Sequence, residues 1–323
     1  MSHDVEFFTI SSGLYFPGFV GLYNSLRLSG HQEPVTVLER GMSERQKAII
    51  RPHCRIVTLD YDVKNPCHLT AFPSQLDATG IVVLIDSDAL VVDQLDPIID
   101  HAREGKICLS RDPDESRFFD EWGKIFDVRN PLRKQTYYNT GLVAFSVEHW
   151  PELLGRWWES LKRVWDRPSI MEGASRKKDP TSQPDQDALN ALLMSEFPPD
   201  SVFEIPSHWN VFPKNLASVN VEDRTSLRCS WRGERVKVVQ ASGRPKPWTW
   251  RRLTDRQKFF CYPNLLRRTL TARDIAIRLP NGMLPPWLWD NSFGEMMFTL
   301  FERWSNVRLL PSELRRQFSS LGS

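Results

Sequence analysis

The 323-residue sequence has no closely spaced cysteines, no long apolar run and no excess of charge of either sign. Its five cysteines are scattered and odd in number, which excludes a zinc or redox motif and indicates reduced thiols, most of them in the core. Because no window holds about 18 consecutive apolar residues, no transmembrane helix is predicted. A net charge of only +2 is not the basic signature of a nucleic-acid-binding protein. The cysteines are Cys54, Cys67, Cys108, Cys229 and Cys261.

Two further absences bear on location and architecture. The first residues, Met1 to Glu6, are polar and acidic, and they lack the charged and then apolar pattern of a secretory signal. A cytoplasmic protein is therefore expected. No internal repeat is visible, and a chain of this length with 41% hydrophobic residues suits one large α/β domain with an appendage.

One acidic pair stands at the end of an unbroken apolar segment. Ile81 to Ile85 are all apolar, and Asp86, Ser87 and Asp88 follow directly. Alternate side chains of an extended chain point the same way, so the two carboxylates could share one hard cation or one metal-bound diphosphate. Asp-Ser-Asp is also typical of a turn, because short polar side chains hydrogen-bond nearby backbone groups. From these residues alone, both interpretations stay open.

The first half of the sequence alternates strand-like and helix-like patterns, as a parallel α/β sheet requires. Ser43 is the expected N-cap of the second helix. Ligands of open α/β sheets gather at the carboxyl ends of strands, so the acid pair lies where a nucleotide site is expected. The predicted strands are 5–10, 35–38, 55–59, 81–85, 107–110, 141–147, 202–205 and 236–239, and the predicted helices are 16–29, 43–50, 151–165 and one that opens at 185.

Four further short segments accompany the acid pair. They are 137–141 (Tyr-Tyr-Asn-Thr-Gly), 185–190 (Asp-Gln-Asp-Ala-Leu-Asn), 207–210 (Ser-His-Trp-Asn) and 243–248 (Gly-Arg-Pro-Lys-Pro-Trp). Each is weak alone, but in this order and at these spacings the set resembles the retaining family 8 glycosyltransferases. That group includes glycogenin and the bacterial lipopolysaccharide galactosyl- and glucosyltransferases. The match covers most of residues 5 to 250.

The resemblance implies a fold and a domain organisation. The fold would be α/β of the GT-A type, with a mixed, mainly parallel sheet flanked by helices. Residues 1–250 would form the nucleotide-sugar-binding catalytic domain, and 251–323 a helical, basic and aromatic extension with 12 Lys and Arg against 6 Asp and Glu. Two interpretations of the extension stay open: a surface lying on an anionic membrane, or a helical cap or dimer interface.

The resemblance also implies a metal site and a phosphate site. Asp86 and Asp88 correspond to the metal-binding acids, with Mn²⁺ or Mg²⁺ as the cofactor. Where the family has a metal-binding histidine, this sequence has Gln240 as the third ligand. A neutral amide is a poorer match for Mn²⁺ than imidazole, so metal binding is expected to be weak, shifted toward Mg²⁺ or dispensable. Gly243 would let the backbone approach the phosphates, and Lys246 would supply a cation for the leaving diphosphate.

The remaining matched positions concern the donor and catalysis. By resemblance, Asp185 and Gln186 are the catalytic residues, with Asp185 on the sugar hydroxyls and Gln186 near the anomeric carbon. An amide is a poor nucleophile, so a front-face path is favoured in which the leaving phosphate takes the acceptor proton. Helix capping is the structural alternative for Asp185. The implied donor-binding residues are Thr9, Ile10, Ser11, Tyr15, Asp86, Ser87, Asn139, Gly243 and Lys246.

A polar segment, Glu172 to Pro184, predicts a loop. It is either a mobile surface segment or a flap over the donor or acceptor, because it runs directly into Asp185. As a flap it would bring the cations of 176–178 near the acceptor or the diphosphate. Trp209 is a candidate for lining the acceptor cleft.

Together these features predict a retaining glycosyltransferase of polysaccharide biosynthesis that moves a hexose from a nucleotide diphosphate sugar, UDP-linked by resemblance, to a glycan or glycolipid. A catalytically impaired nucleotide-sugar-binding protein stays an alternative because of Gln240. A sugar-phosphate nucleotidyltransferase is a weaker one, since 11–18 does not form a glycine-rich phosphate loop. The expected partners are the donor and the acceptor and no nucleic acid. Self-association, and peripheral contact with the inner face of a membrane, stay open.

Overall fold

A computed structural model describes residues 4–63, 65–222, 227–249 and 261–309, with side chains described up to residue 300. The strands of these residues are β1 (Val5–Ser12), β2 (Val35–Arg40), β3 (Arg55–Thr58), β4 (Ile81–Ile85), β5 (Ala89–Val91), β6 (Ile107–Arg111), β7 (Tyr138–Ser146), β8 (Val202–Ile205), β9 (Asn210–Val211), β10 (Val219–Val221), β11 (Cys229–Trp231), β12 (Glu234–Arg235) and β13 (Val238–Gln240). The helices are α1 (Phe16–Leu28), α2 (Glu44–Ile50), α3 (Asp96–Arg103), α4 (Trp122–Ile125), α5 (Leu153–Lys162), α6 (Pro184–Leu193), α7 (Tyr262–Thr271) and α8 (Ser292–Leu309).

Seven strands form the central sheet, in the order β3-β2-β1-β4-β7-β6-β8. β1 to β4 are parallel, whereas β7 runs antiparallel to both β4 and β6. The predicted mixed, mainly parallel α/β sheet is therefore confirmed. β4 lies at its centre with every side chain buried, which explains why its sequence is apolar throughout instead of alternating.

Helices cover both faces of the sheet. The core on one face contains side chains of α1, α3 and α7, and the core on the other face contains those of α5 and α6. Trp157 and Trp158 of α5 lie in the second core, as their helical spacing predicts, with Trp165 packed against it. The two cores fix the central strands from both sides.

A small sheet brings a distant part of the chain beside the acid pair. In this sheet β13 pairs antiparallel with β5 and parallel with β9. Its register places Gln240 opposite Ala89, the residue that follows Asp88. The chain segment after β13 is thereby held next to the end of β4.

Local signals explain most of the element boundaries. Ser43 caps α2, since its hydroxyl accepts from the N–H of Gln46 (3.3 Å) while the Gln46 side chain accepts from the N–H of Ser43 (2.9 Å). β13 begins two residues later than predicted. The N–H of Val236 donates to the Cys229 carbonyl (3.0 Å), which lies outside the small sheet that contains β13. β13 therefore begins only after Lys237.

The described part of the C-terminal extension packs into the core of the main sheet. α7 lies on α1, and the buried Asn24 of α1 joins the two: its amide donates to the carbonyls of Thr269 (2.7 Å) and Ile277 (2.8 Å) and accepts from the N–H of Ile277 (2.8 Å). Tyr262 of α7 is fully buried, and burial together with the nearby charge of Asp88 raises its pKa. The extension thus reaches the back of the acid pair.

Among the α8 side chains up to residue 300, those of Phe293, Met296 and Leu300 are apolar and exposed. Much of the basic sequence of the extension, 251–260 and 310–323, lies outside the described residues. Across the helices that are described, length and apolar content fall short of what crossing a membrane requires.

The segment 173–183 is fixed to the protein by a buried cation. Arg117 is 2% exposed, forms an ion pair with Asp187 (Nε to Oδ1, 2.7 Å) and donates to the backbone carbonyls of Arg176 and Asp179 (2.9 Å to the latter). Buried charge-assisted hydrogen bonds of this kind resist local opening. These contacts favour the interpretation of the loop as a wall of the cleft over that of a mobile surface segment.

Candidate functional site

A cleft of about 300 Å³ opens at the carboxyl ends of β1 and β4. This is the edge at which open α/β sheets bind ligands. Its walls come from eight separate parts of the chain, so the cleft exists only in the folded protein. The lining residues lie within 8–15, 38, 65–70, 84–88, 140, 169–171, 182–185 and 242–246.

The acid pair lies at the centre of the cleft, and its two members have different surroundings. The carboxylate of Asp86 is exposed, whereas Asp88 is 6% exposed and forms an ion pair with Lys246. The ammonium of Lys246 also donates to the Ala241 carbonyl (2.9 Å) and lies 5.3 Å from the ring centre of Tyr15. The second oxygen of Asp88, Oδ1, is buried without a hydrogen-bond partner among the described residues. An unpaired anionic oxygen of this kind indicates a missing donor or cation.

The cleft has more negative than positive charge at its centre. The pKa of Asp86 is raised to about 8, although its carboxylate faces the water of the cleft. The largest cause is enclosure by the surrounding protein, followed by the negative charges of Asp88 and Asp185; the charge of Lys246 acts in the opposite direction. Burial raises the pKa of Asp185 to about 6 in spite of a hydrogen bond from the Thr140 hydroxyl (2.8 Å). A bound cation would relieve this repulsion.

Three side-chain oxygens converge beside Gly141 of β7. A Cβ atom at this position would lie 2.5 Å from Oε1 of Gln240, 2.8 Å from Oδ2 of Asp86 and 3.0 Å from Oδ1 of Asn139. Gln240 is fully buried, and its Nε2 donates to Oδ1 of Asn210 (3.0 Å). Because Asn210 accepts from the amide nitrogen, the amide oxygen lies on the side of Asp86, where it also accepts from the Ser242 hydroxyl (3.3 Å). Such a set of oxygens suits a hard divalent cation.

Replacing Gly141 by Ala is expected to destabilise the protein by about 1–3 kcal/mol, because the new methyl group overlaps oxygens that buried hydrogen bonds hold in place. Gly155 in the exposed face of α5 is the matched control, since a Cβ there meets nothing within 4 Å. Gly155→Ala should be stabilising by up to about 1 kcal/mol. Urea unfolding of the two variants measures both values, and equal behaviour would contradict the crowding beside Gly141.

Two of the predicted catalytic and donor residues lie in a hydrogen-bonded network behind the cleft wall. Gln186 is 3% exposed, and its Nε2 donates to Oδ2 of Asp112 (2.9 Å) while its Oε1 accepts from Nδ2 of Asn139 (3.0 Å). Asp185 lines the cleft itself. Since α6 begins at Pro184, Asp185 lies in the first turn of the helix and does not occupy the N-cap position.

The structure thus brings most of the predicted site residues together. Gln186, Asn139 and Gln240 do not line the cleft but adjoin it from behind. Trp209 lies outside this cleft, where it packs against Phe203. The predicted residues that line the cleft are Thr9, Ile10, Ser11, Tyr15, Asp86, Ser87, Asp88, Asp185, Gly243 and Lys246.

None of the three cations predicted to act from a flap, 176–178, lines the cleft. The guanidinium of Arg176 pairs with the buried Asp112 and with Asp114 (3.5 Å), and it does not line the cleft. Asp112 itself was missed from the sequence. It follows β6 as Asp86 follows β4, so the rule that polar residues at carboxyl ends of strands build the site could have found it.

The sequence matches no protein-family model and no curated protein, but solved glycosyltransferase structures share its fold. Galactosyltransferase LgtC with donor and acceptor sugar analogs gives a TM-score of 0.54 at 18% identity, over 86% of this chain and 100% of LgtC. An active-site Gln→Glu mutant of LgtC gives 0.55 at 15% identity over the same shares of the two chains. The apo bifunctional glycosyltransferase WbbM gives 0.53 at 16% identity over 85% of this chain, which spans half the length of WbbM. The predicted GT-A fold is confirmed.

Proposed function

We propose that the protein is a glycosyltransferase that moves a hexose from a nucleotide diphosphate sugar, UDP-linked, to a glycan or glycolipid acceptor with retention of configuration. The observation that carries this proposal is the meeting of Asp86 and Asp88, at the end of a buried strand, with Lys246 in a cleft of the GT-A fold. Breaking the bond between sugar and diphosphate builds negative charge on the leaving group, so preorganised cations at that point accelerate the reaction.

The nucleotide would lie along β1. Thr9, Ile10 and Ser11 line that end of the cleft, and Tyr15 at the start of α1 offers an aromatic face for the base. At the opposite end, Asp185 would bind the sugar hydroxyls. This places the diphosphate between them, beside the acid pair.

A divalent cation fits the centre of the site. Asp86, Asp88 and the amide oxygen of Gln240 would hold it, and the unpartnered oxygen of Asp88 and the raised pKa of Asp86 support this assignment. When bound, the ion would act as a Lewis acid on the diphosphate. Among the described residues, no three His, Cys, Asp or Glu side chains are arranged to hold a metal, so the set depends on Gln240 and favours Mg²⁺ over Mn²⁺.

The chain's own cations complete the charge balance. Lys246 is held on Asp88 and would donate to a phosphate oxygen as the leaving group departs. Arg244 lines the mouth of the cleft and is exposed, and it would supply a second positive charge. Gln186 has both amide atoms in hydrogen bonds and is a poor nucleophile, which supports the front-face path over a covalent intermediate.

The second candidate is a protein that binds the nucleotide sugar without turning it over. The feature that favours it is Gln240, whose amide nitrogen is held by Asn210 and whose oxygen is neutral. A binding protein would retain a UDP-sugar without releasing UDP, whereas a transferase hydrolyses its donor slowly even without an acceptor. A nucleotidyltransferase would instead release diphosphate from a nucleoside triphosphate and a sugar phosphate.

The deciding experiment measures UDP release from a panel of UDP-sugars with Mg²⁺, Mn²⁺ or EDTA, in the native protein and in Gln240→His. We expect turnover of one sugar that is fastest with Mg²⁺, is lost in EDTA and becomes faster with Mn²⁺ in Gln240→His, because imidazole is the better Mn²⁺ ligand. Binding of a UDP-sugar without release of UDP would contradict the transferase activity and support the binding protein. If the protein neither binds nor turns over any UDP-sugar, both proposals fail and only the fold assignment remains.

A further inference from the structure

A buried carboxylate that the proposed function does not use lies behind the sugar end of the cleft. Asp112, the residue after β6, has a side chain that is 2% exposed. Its Oδ2 accepts from Nε2 of Gln186 (2.9 Å) and from Nδ2 of Asn139 (3.4 Å). Its Oδ1 accepts from the N–H of Asp114 (2.8 Å) and from the guanidinium of Arg176.

The chemistry of this carboxylate fixes the orientation of two amides. An ionised carboxylate only accepts hydrogen bonds, so Gln186 and Asn139 must both turn their NH₂ groups toward Asp112. Gln186 is then left with its oxygen toward Asn139 (3.0 Å), and Asn139 with its oxygen toward the N–H of Gly141 (2.9 Å). That oxygen belongs to the group that converges beside Gly141, next to Asp86.

The cation that pairs with Asp112 comes from the segment 173–183. The Arg176 guanidinium pairs with it, and the backbone of Arg176 accepts from the buried Arg117. A buried carboxylate without a cation would be costly, because removing a charge from water requires compensation. The same segment that closes one side of the cleft therefore also supplies the cation that pairs with the carboxylate of the amide network.

We propose that Asp112 is a positioning residue, which fixes the orientation of the Asn139 and Gln186 amides behind the sugar end of the cleft, while Arg176 pairs with its carboxylate. It acts through these two amides and does not touch the donor. This inference rests on the proposed function, since it concerns the sugar end of the same site. Asn at position 112 has nearly the same shape but can present either an oxygen or an NH₂ group, so it no longer imposes one orientation.

The test compares Asp112→Asn with Asp114→Asn in steady-state UDP release. Asp114 is a matched control, because it contacts the same Arg176 (3.5 Å) but neither amide and is 42% exposed. We expect kcat of Asp112→Asn to fall roughly 10- to 100-fold, the size of effect that misplaced groups cause, with KM for the donor and Kd for UDP within about twofold. Asp114→Asn should stay close to the native protein.

The same substitution in a variant that lacks both amides shows whether Asp112 acts through them. In Asn139→Ala/Gln186→Ala, the further change Asp112→Asn should have little effect on kcat. An equal fold-loss in both backgrounds, or a parallel loss of UDP affinity, would overturn the positioning role. The melting temperature provides a readout that does not depend on catalysis: its shift on Asp112→Asn should be smaller in the double-Ala background, where only the lost pairing with Arg176 remains, and additive shifts would overturn the contact. If the native protein turns over no donor, the proposed function fails and the thermal cycle alone decides the role of Asp112.

Discussion

Replacing Asp86 by Asn is expected to lower the turnover of a nucleotide sugar about 10²- to 10³-fold while raising the melting temperature of the free protein. The loss follows because Asp86 is the cleft-facing member of the acid pair and the charged group best placed to hold the cation. The gain follows because its pKa is raised to about 8, so the ionised group is less favourable in the folded than in the unfolded protein.

The pH dependence of this gain has a definite sign. The unfolded pKa of an Asp is about 3.9, so the unfolded chain loses its proton first as pH rises, and Asp86 progressively destabilises the fold between about pH 4 and pH 8. The advantage of Asp86→Asn should therefore grow from pH 5 to pH 8, which thermal scans in EDTA measure. Addition of Mg²⁺ should stabilise the native protein more than the variant.

Asp100→Asn is the control for this substitution. Asp100 of α3 is 61% exposed and pairs only with Arg103 (2.8 Å), away from the cleft. Its turnover should be unchanged and its stability within about 0.5 kcal/mol of the native value. A fall in melting temperature in Asp86→Asn would contradict the charge repulsion, and an unchanged turnover would contradict the role of Asp86 in the site.

The largest loss of stability is expected in Asp187→Asn, at about 3–5 kcal/mol, because it leaves the guanidinium of Arg117 buried without a carboxylate. Asp187 is fully buried and accepts from Arg117 (2.7 and 2.8 Å), from the Tyr137 hydroxyl (2.6 Å) and from the N–H of Gln183 (2.9 Å). Burial raises the pKa of Asp187, and the nearby charge of Arg117 lowers it. The ion pair therefore holds the segment 173–183 and α6 together although burial disfavours the charge of Asp187. Chemical denaturation measures the effect.

The same variant should release the segment 173–183. Arg176, Lys177 and Lys178 are trypsin sites within it, and Arg117 holds the backbone of Arg176. Limited trypsin digestion followed by mass spectrometry should find faster cleavage at these bonds in Asp187→Asn than in the native protein. The control is Glu152→Gln, which breaks an exposed pair with Arg129 and should change stability by less than about 1 kcal/mol. Equal losses in the two variants would mean that burial does not decide the strength of these ion pairs.

The sequence alone determined the fold class and the positions of most strands along the chain. β4 was predicted with the bounds that the structure has, because a run of five consecutive apolar residues is typical of a strand buried on both faces. The acid pair was found for the same reason, since polar residues directly after such a strand lie at the carboxyl end of the sheet. The capping of α2 by Ser43 was likewise a local property, written within four residues.

The family resemblance assigns Gln240 and Lys246 to the site of the acid pair, but only the tertiary structure decided the contacts through which they meet it. The antiparallel register of β13 on β5 brings Gln240 beside Asp86, and the pairing of Lys246 with Asp88 joins residues 158 positions apart. Periodicity within one element carries no information about such pairings, because they depend on how separate elements pack.

The contacts of the segment 173–183 could not be predicted from the sequence either. Its polar composition predicts a loop, but composition does not reveal whether a buried cation elsewhere satisfies the backbone of that loop. Arg117 does so here, and Arg176 turns inward to Asp112 instead of toward a substrate. The sequence therefore determined the sheet and the location of the site, because those follow from local burial patterns. The tertiary structure decided the charge balance and the hydrogen-bond network, because these depend on distances between residues far apart in the chain.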